Sequence, residues 1–277
     1  MRFRPFGSSG REIAIIGQGT WQIDGRRRAE AVAALCEGLD LGMDHIDTAE
    51  MYGDAEPIVA EALAGRRDQA FLVSKVLPHN ASRAGTIAAC ERSLARLRTD
   101  RLDCYLLHWR GRHPLEETIA AFETLVEQGK ILSWGVSNFD VGDLEEALRI
   151  AGPGRIACNQ ILYHLEERAI EHDVIPWCER QDVAVVGYSP FGSGAFPEPG
   201  SPGGRVLAEI AAGCAATVRQ IALAILARRA FVIPKAGSPD HAADNGQAGD
   251  LELSDAAIAR IDAAFPLGPR PRSLPMI

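Results

Sequence analysis

The chain has 277 residues, of which 47% are hydrophobic and 24% are charged, and its formal net charge is −8. This ordinary globular composition argues against disorder, collagen-like repeats and coiled coils. The negative charge argues against a broad nucleic-acid or anionic-membrane surface. No signal-peptide pattern opens the sequence, and no stretch approaches the roughly 18 apolar residues that a membrane helix needs. We therefore expect a cytoplasmic protein without nucleic-acid or membrane partners.

The six cysteines form no CxxC pair and no cluster with histidine at zinc-finger spacing. Most of them lie within apolar runs, where a free cysteine behaves as a small hydrophobic side chain. We therefore expect reduced cysteines and no metal site, rather than a framework of disulfides.

Short apolar runs alternate along the chain with longer segments of helical spacing. A hairpin is predicted over residues 1–16, and the first strand–helix unit begins at the GQGTW sequence. Further strands are predicted at 45–47, 70–75, 102–109, 131–137, 155–160, 183–189 and 231–235. The predicted helices between them are 28–41, 55–65, 82–98, 114–129, 140–150 and 169–181, the last broken near Pro176.

Two helices are predicted before the last strand, and the second opens at Thr217 with Gln220 three residues later, a capping-box pattern. Two more follow that strand, one opening near Ser238 and one capped by Ser254 and ending near Ala264. The Gly/Pro/Ser-rich stretch 191–204 is predicted to be a long functional loop.

About eight strand–helix units predict an α/β fold, a single-domain (β/α)8 barrel over residues 1–277 with an N-terminal hairpin and two extra helices. A doubly wound open sheet is the alternative. That fold favours a GxGxxG turn at its first helix, and the segment from Gly17 to Gln22 lacks the third glycine.

Polar side chains end the predicted strands, where the active site of such a barrel lies. In chain order they are Asp47, Lys75, His108, Ser137 with Asn138, Asn159 with Gln160, Tyr188 with Ser189, and Lys235. The chain has only three lysines among its 29 basic residues, and two of them stand at these ends. This convergence predicts a functional site at one rim of the barrel.

Four of the residues near this rim suit proton donation to a carbonyl oxygen. A lysine cation such as Lys75 stabilises a phenolate, so we expect it to lower the pKa of Tyr52. Asp47 would hold the lysine in place, and His108 would orient the carbonyl. Each residue also has a purely structural alternative: Asp47 as a turn cap, Tyr52 as a turn aromatic, Lys75 in a buried ion pair and His108 in the core.

These residues lie in blocks that follow one another as they do in aldo-keto reductases. The blocks are GQGTW, DTAEMYGDAE, VSK, YLLHW, WGVSNF, NQILYH, GYSPFGSG, RQIALA and VIPKAGSPDHAADN. The chain resembles that superfamily over residues 17–263, on the bacterial side that includes methylglyoxal reductase-like enzymes.

The resemblance implies that Asp47, Tyr52, Lys75 and His108 form a catalytic tetrad. The implied reaction is the reduction of small aldehydes and ketones by direct hydride transfer, with Tyr52 as the general acid. The implied substrate pocket is lined by Trp21, Tyr52, His108 and Trp109. The resemblance also implies a monomer.

An extended nicotinamide cofactor, bound without a Rossmann fold, is implied as well. Ser137, Asn138 and Gln160 match the positions that bind its carboxamide, and Tyr188 matches the ring that stacks on the nicotinamide. The other implied contacts are Gly19, Thr20, Trp21 and Asp47; Ser189, Pro190, Phe191 and Gly192 in the loop over the pyrophosphate; and Lys235, Ser238, His241, Asp244 and Asn245 around the adenosine.

The adenosine segment departs from the family pattern. Ala236 replaces the usual serine, Ser238 stands where threonine is common, and His241 replaces the usual arginine. The loss of a bidentate arginine weakens recognition of a phosphate dianion, because histidine offers a single donor. Lys235 still matches the lysine that meets the 2′-phosphate. We therefore expect NADPH as the cofactor, with NADH also usable.

Ten residues follow Leu267, and the stretch 109–114 is short, so we expect an open pocket for small or varied carbonyl substrates. Two other functions stay open. One is a cofactor-binding regulatory subunit with little turnover, since a fold does not determine a function. The other is a barrel isomerase or lyase without a nicotinamide.

Overall fold

The computed structural model describes residues 1–23 and 25–277. Its N-terminal hairpin pairs β1 (Phe3–Pro5) antiparallel with β2 (Glu12–Ala14). Phe6 follows β1 and is fully buried, with its ring centroid 4.8 Å from that of Phe71 and 5.1 Å from that of Phe231. The hairpin therefore packs its apolar side chains against the first residues of the strands described next.

The other strands of the described residues form one eight-stranded parallel sheet in chain order. They are β3 (Gln18–Gly19), β4 (His45–Asp47), β5 (Phe71–Val76), β6 (Leu102–Leu107), β7 (Ile131–Ser137), β8 (Ile156–Leu162), β9 (Ala184–Tyr188) and β10 (Phe231–Val232).

The first and last strands of this sheet meet. Gly17 N donates to Val232 O at 2.8 Å, and Val232 N donates to Ile15 O at 3.0 Å, so the sheet closes into a barrel. A Cβ at Gly19 would lie 2.6 Å from the Ile233 carbonyl oxygen, so the closure requires glycine there. The predicted (β/α)8 architecture with an N-terminal hairpin and extra helices is confirmed.

Helices surround the barrel and bury apolar side chains against it. They are α1 (Arg28–Asp40), α2 (Ala55–Ala62), α3 (Arg83–Leu97), α4 (Leu115–Glu127), α5 (Val141–Ala151), α6 (Val174–Gln181), α7 (Pro202–Cys214), α8 (Val218–Leu226), α9 (Pro239–Gln247) and α10 (Asp255–Ala264).

The predicted helix caps are confirmed by their hydrogen bonds. Ser82 caps α3 by accepting from Gly85 N at 3.1 Å. Thr217 and Gln220 form the predicted capping box of α8. Ser238 and Ser254 cap α9 and α10 through the same kind of contact. These signals are local, which is why the sequence locates them well.

Several predicted boundaries differ from the observed ones. The last strand is Phe231–Val232 rather than 231–235, because Pro234 cannot donate to a ladder. The predicted helix 169–181 is interrupted just before Pro176, as expected: a 3-10 turn spans Ala169–Glu171 and α6 begins at Val174, which places Pro176 in its first turn, where its missing N–H leaves no helical hydrogen bond unmade. The loop 191–204 is shorter than expected, because Ser201 caps α7 and Pro202 begins it.

No single helix in residues 1–23 and 25–277 is long and apolar enough to cross a bilayer. α7 and α8 pass that test only as a pair, and they are bent by 96° relative to each other.

Candidate active site

Asp47 and Lys75 form a buried ion pair at the C-terminal ends of two adjacent strands. Lys75 Nζ lies 2.5 Å from Asp47 Oδ1 and donates to Thr48 O at 2.8 Å. Gln160, on β8 across the barrel, donates to Asp47 Oδ2 at 2.6 Å. The exposed fractions of Asp47, Lys75 and Gln160 are 2%, 0% and 2%. The barrel thus brings three distant residues into one buried hydrogen-bonded network.

Each member of this ion pair stabilises the charged form of the other. Burial raises the pKa of the Asp47 carboxyl, against the opposing effect of Lys75. Burial lowers the pKa of Lys75, but the Asp47 carboxylate and Tyr52 outweigh it, so the net pKa of the ammonium is raised. Lys75 therefore stays protonated at neutral pH.

Tyr52 lies in the segment between β4 and α2. Glu50 N donates to Lys75 O at 3.3 Å, and Tyr52 N donates to Ala49 O at 3.0 Å, so this segment folds over the end of β5. The Tyr52 hydroxyl lies 3.4 Å from His108 Nε2, and Lys75 Nζ lies 5.0 Å from the centre of the Tyr52 ring. Four residues predicted to act together are therefore neighbours.

The Glu50 carboxylate anchors the Tyr52 segment. It accepts hydrogen bonds from Leu77 N at 2.7 Å and from Asn80 Nδ2 at 2.9 Å, and it pairs with Arg92 at 3.4 Å. Its side chain is 5% exposed. The sequence offered no signal for this anchor, because its partners lie 27 to 42 residues away along the chain.

Burial dominates the electrostatics of Tyr52 and His108. Burial raises the pKa of the Tyr52 hydroxyl, and Lys75 only partly offsets it. Lys75 thus lowers the pKa of Tyr52 as expected, but the net shift of this pKa is upward. Burial, with the nearby Lys75 charge, lowers the pKa of His108 to about 2. His108 is thus neutral at physiological pH, and its Nδ1 is buried with no partner in the described chain.

The predicted nicotinamide contacts form a second network beside the first. Ser137 Oγ donates to Gln160 O at 2.8 Å, and Asn138 Nδ2 donates to His108 O at 3.1 Å. The Tyr188 hydroxyl donates to Asn138 Oδ1 at 2.9 Å. Asn138 has a φ of 60°, a left-handed conformation that asparagine tolerates better than most residues.

A cavity of about 610 Å³ extends from these residues along the C-terminal rim of the barrel. Most of the predicted site residues line it: Gly19, Thr20, Trp21, Asp47, Tyr52, His108, Trp109, Ser137, Asn138, Gln160, Tyr188, Ser189, Pro190, Phe191, Lys235 and His241. We call its tetrad side, with Asp47, Tyr52, Lys75, His108 and Gln160, the buried end. Lys75 lies behind the wall of this end.

We call the other side, with Arg27, Arg219, Lys235 and His241, the cationic end. All four residues there are exposed. Sequence reasoning assigned no role to Arg27 or Arg219. Neither stands at a strand end, and Arg219 is the first residue of the RQIALA block, to which the resemblance assigned no contact.

Four predicted cofactor residues do not line the cavity. Ser238 caps α9, and Asn245 is buried. The Asp244 carboxylate accepts hydrogen bonds from Thr217 Oγ1 and Gln220 Nε2, at 3.1 and 2.9 Å to Oδ1. These contacts join α8 to α9. Gly192 belongs to the loop after β9, in a left-handed conformation with φ 72°.

Further lining residues were missed: Gln22, Met51, Ser193, Ile233, Gly237, Met276 and Ile277. Met276 and Ile277 belong to the irregular segment after α10, so this segment contributes to the cavity wall. The Ile277 backbone hydrogen-bonds Tyr188 and thereby opposes the burial that raises the pKa of that phenol to about 12.

No group of three histidine, cysteine, aspartate or glutamate side chains in residues 1–23 and 25–277 is placed to hold a metal ion.

Residues 15–265 match the model of the aldo/keto reductase family. The chain belongs to this family. Methylglyoxal reductase YeaE of Escherichia coli is 45% identical to it over 96% of this chain and 95% of its own length. Glyoxal reductase of Bacillus subtilis is 32% identical over 96% and 95% of the two chains.

Solved aldo/keto reductases share the fold closely. An aldo-keto reductase from Klebsiella pneumoniae in complex with NADPH has a TM-score of 0.92 and 41% identity, with all of both chains covered. An aldo/keto reductase from the same organism in complex with NADP and acetate has a TM-score of 0.91 and 42% identity over 98% of both chains. Family membership supports an oxidoreductase that acts on carbonyl compounds.

Proposed function

We propose that the protein reduces small aldehydes and ketones to alcohols with NADPH, and that Tyr52 donates the proton. One observation carries this proposal: the Tyr52 hydroxyl and His108 Nε2 lie 3.4 Å apart at the cavity wall, in front of the buried Lys75 ammonium. Two polar atoms at this separation can both hydrogen-bond one substrate oxygen at ordinary distances.

The side chains that line the cavity fit the chemical groups of NADPH. Tyr188 offers an aromatic face beside Asn138, and no donor among the described residues reaches Gln160 Oε1, which leaves an acceptor for a carboxamide NH₂. The phosphates would lie at the cationic end, with Lys235 as one contact. The acidic residue in the cavity lining of the described chain is Asp47, and its charge is neutralised by the ion pair with Lys75.

The bound nicotinamide would supply a hydride to the carbonyl carbon of the substrate. Tyr52 gives its proton to the carbonyl oxygen, so that the C=O double bond becomes a C–O single bond with a new C–H bond and a new O–H bond. The phenolate that remains lies near Lys75, whose charge stabilises it until a proton returns from solvent.

His108 orients the substrate oxygen toward Tyr52. Its depressed pKa keeps the imidazole neutral, so it can donate one N–H hydrogen bond without competing as the proton source. The raised pKa of Tyr52 keeps its hydroxyl protonated at neutral pH, which is the form that reduction requires.

The names of the relatives point to small dicarbonyl compounds such as methylglyoxal and glyoxal as substrates. Every residue in the proposed mechanism comes from one chain and one barrel. We therefore propose a single domain that acts as a monomer.

The test is to follow NADPH and NADH oxidation at the nicotinamide absorbance with methylglyoxal, glyceraldehyde and nitrobenzaldehyde. Turnover with NADPH above that with NADH is expected. Tight NADPH binding without turnover of any of these carbonyls would contradict a reductase and favour the regulatory subunit. Absence of NADPH binding would favour an isomerase or lyase.

A further inference from the structure

Arg219 is an arginine at the cationic end with no assigned role. It lies in the first turn of α8, two residues after the Thr217 cap. Its guanidinium carbon lies 4.8 Å from the centre of the Phe191 ring and 5.5 Å from that of the Phe196 ring. Both rings belong to the loop between β9 and α7. Arg219 also lines the cavity together with Lys235 and His241.

The stacking leaves the hydrogen-bonding edge of Arg219 free. A guanidinium that lies over an aromatic ring uses its face, while its N–H groups point outward in the plane. In the described part of the chain, no carboxylate pairs with Arg219. Asp244 is the acidic group next to this turn of α8, and its oxygens are already engaged by Thr217 and Gln220.

At the cationic end, Arg219 and Lys235 therefore have no carboxylate side chain as a partner in the described chain. Asp47, the one acidic residue of the cavity lining in the described chain, is held by Lys75 at the opposite end. Arg27 differs from Arg219, since it is paired with Glu30 on α1. A stacked arginine, a lysine and a histidine that line one cavity are the kinds of donor from which a phosphate dianion accepts hydrogen bonds.

We propose that Arg219 binds the 2′-phosphate of NADPH together with Lys235, and so determines the preference for NADPH over NADH. This inference rests on the proposed function, because it requires NADPH in the cavity. Two N–H donors of a guanidinium match two oxygens of a phosphate, which the histidine at 241 cannot do. Helix α8 thus supplies a phosphate contact that the α9 segment lacks.

The alternative role of Arg219 is to hold the loop through Phe191 and Phe196. This role predicts a different result, because a loop over the cofactor contacts groups that NADPH and NADH share. A contact to the pyrophosphate would also affect both cofactors equally. Selectivity between the two cofactors therefore separates 2′-phosphate binding from both alternatives.

The experiment measures dissociation constants of NADPH and NADH, by calorimetry, for the intact protein and for Arg219→Gln. Loss of a charge-assisted contact is expected to weaken NADPH binding about tenfold or more and NADH binding less than about twofold. The salt dependence of NADPH binding should also decrease. The matched control is Arg228→Gln, which removes the same charge just beyond the C-terminal end of α8, outside the cavity lining, and should change neither constant.

Equal weakening of both cofactors, or no weakening of NADPH, would overturn the assignment of Arg219. Either result would leave the proposed function intact if the unmodified protein binds NADPH and reduces carbonyls. Failure of the unmodified protein to bind NADPH would instead contradict the proposed function itself.

Discussion

The two ends of the cavity are built in opposite ways. At the buried end, Asp47, Lys75 and Gln160 come from three strands and satisfy one another almost without solvent. At the cationic end, Arg219, Lys235 and His241 are exposed and come from separate helices and connections.

Because of this difference, we expect the cationic end to tolerate substitution better than the buried end. A buried ion pair that loses one member leaves an unpaired charge, so the members of the buried end depend on each other. Exposed cations around a phosphate act nearly independently, so one can replace another. The resemblance implies the same contrast: the segment matched to the adenosine departs from the family pattern at positions 236, 238 and 241, whereas the four positions matched to the tetrad follow it.

The largest effect is expected from Tyr52→Phe. Removal of the proton donor should lower kcat by about 100-fold or more, since general acid catalysis contributes that much or more. NADPH affinity should stay unchanged, because the hydroxyl is proposed to meet the substrate. The matched control is Tyr105→Phe, which removes a buried hydroxyl without a partner in the described chain. Turnover of Tyr52→Phe near that of the control would refute the assignment.

A double-mutant cycle tests the mutual dependence of the buried end. Lys75→Met leaves Asp47 charged and buried, and we expect it to lower the free energy of unfolding by about 3 kcal/mol. Addition of Asp47→Asn should recover much of that stability but none of the activity. Urea denaturation measures the first effect and NADPH consumption the second. Additive losses of stability in the double variant would show that the two residues are not coupled.

The pH dependence of stability tests burial of the two histidines in the barrel. Burial lowers the pKa of His45 to about 3 and that of His108 to about 2. Below about pH 6.5, both imidazoles bind protons in the unfolded chain but stay neutral in the folded chain. Stability should therefore fall with decreasing pH, by up to about 1.4 kcal/mol per pH unit for each histidine, until the folded pKa is reached.

Urea titrations between pH 7 and pH 4 measure this slope. His45→Leu removes one of the two groups while leaving the cavity lining untouched, so the slope should become shallower whatever the change in stability at pH 7. The same slope in the variant and in the unmodified protein would show that His45 becomes protonated in the folded barrel.

The smallest effect is expected at the cationic end. Lys235→Ala should weaken NADPH binding about tenfold and NADH binding much less, because one exposed charge-assisted contact is lost while its neighbours remain. Dissociation constants at two salt concentrations measure this effect. Equal losses for both cofactors would place Lys235 away from the 2′-phosphate and would weaken the distinction between the two ends.

Local sequence signals predicted the helices and strands well, whereas the pairing of strands in the sheet determined which residues became neighbours at the site. Ser82, Thr217 and Ser254 cap the predicted helices because a cap involves only three or four neighbouring residues. The apolar run 131–137 became β7 with the predicted bounds. The predicted end of the last strand failed at Pro234, because a proline has no N–H to donate to the strand ladder.

Local patterns in the sequence were enough to predict the alternation of strands and helices and the polar residues at the strand ends. From these two features the barrel and the residues at its rim could be predicted. Only the tertiary structure decided that Glu50 anchors the Tyr52 segment, that Arg219 and the chain end line the cavity, and that burial outweighs Lys75 in the pKa of Tyr52. The reason is physical: desolvation and contacts between distant residues depend on packing, which no local pattern of residues encodes.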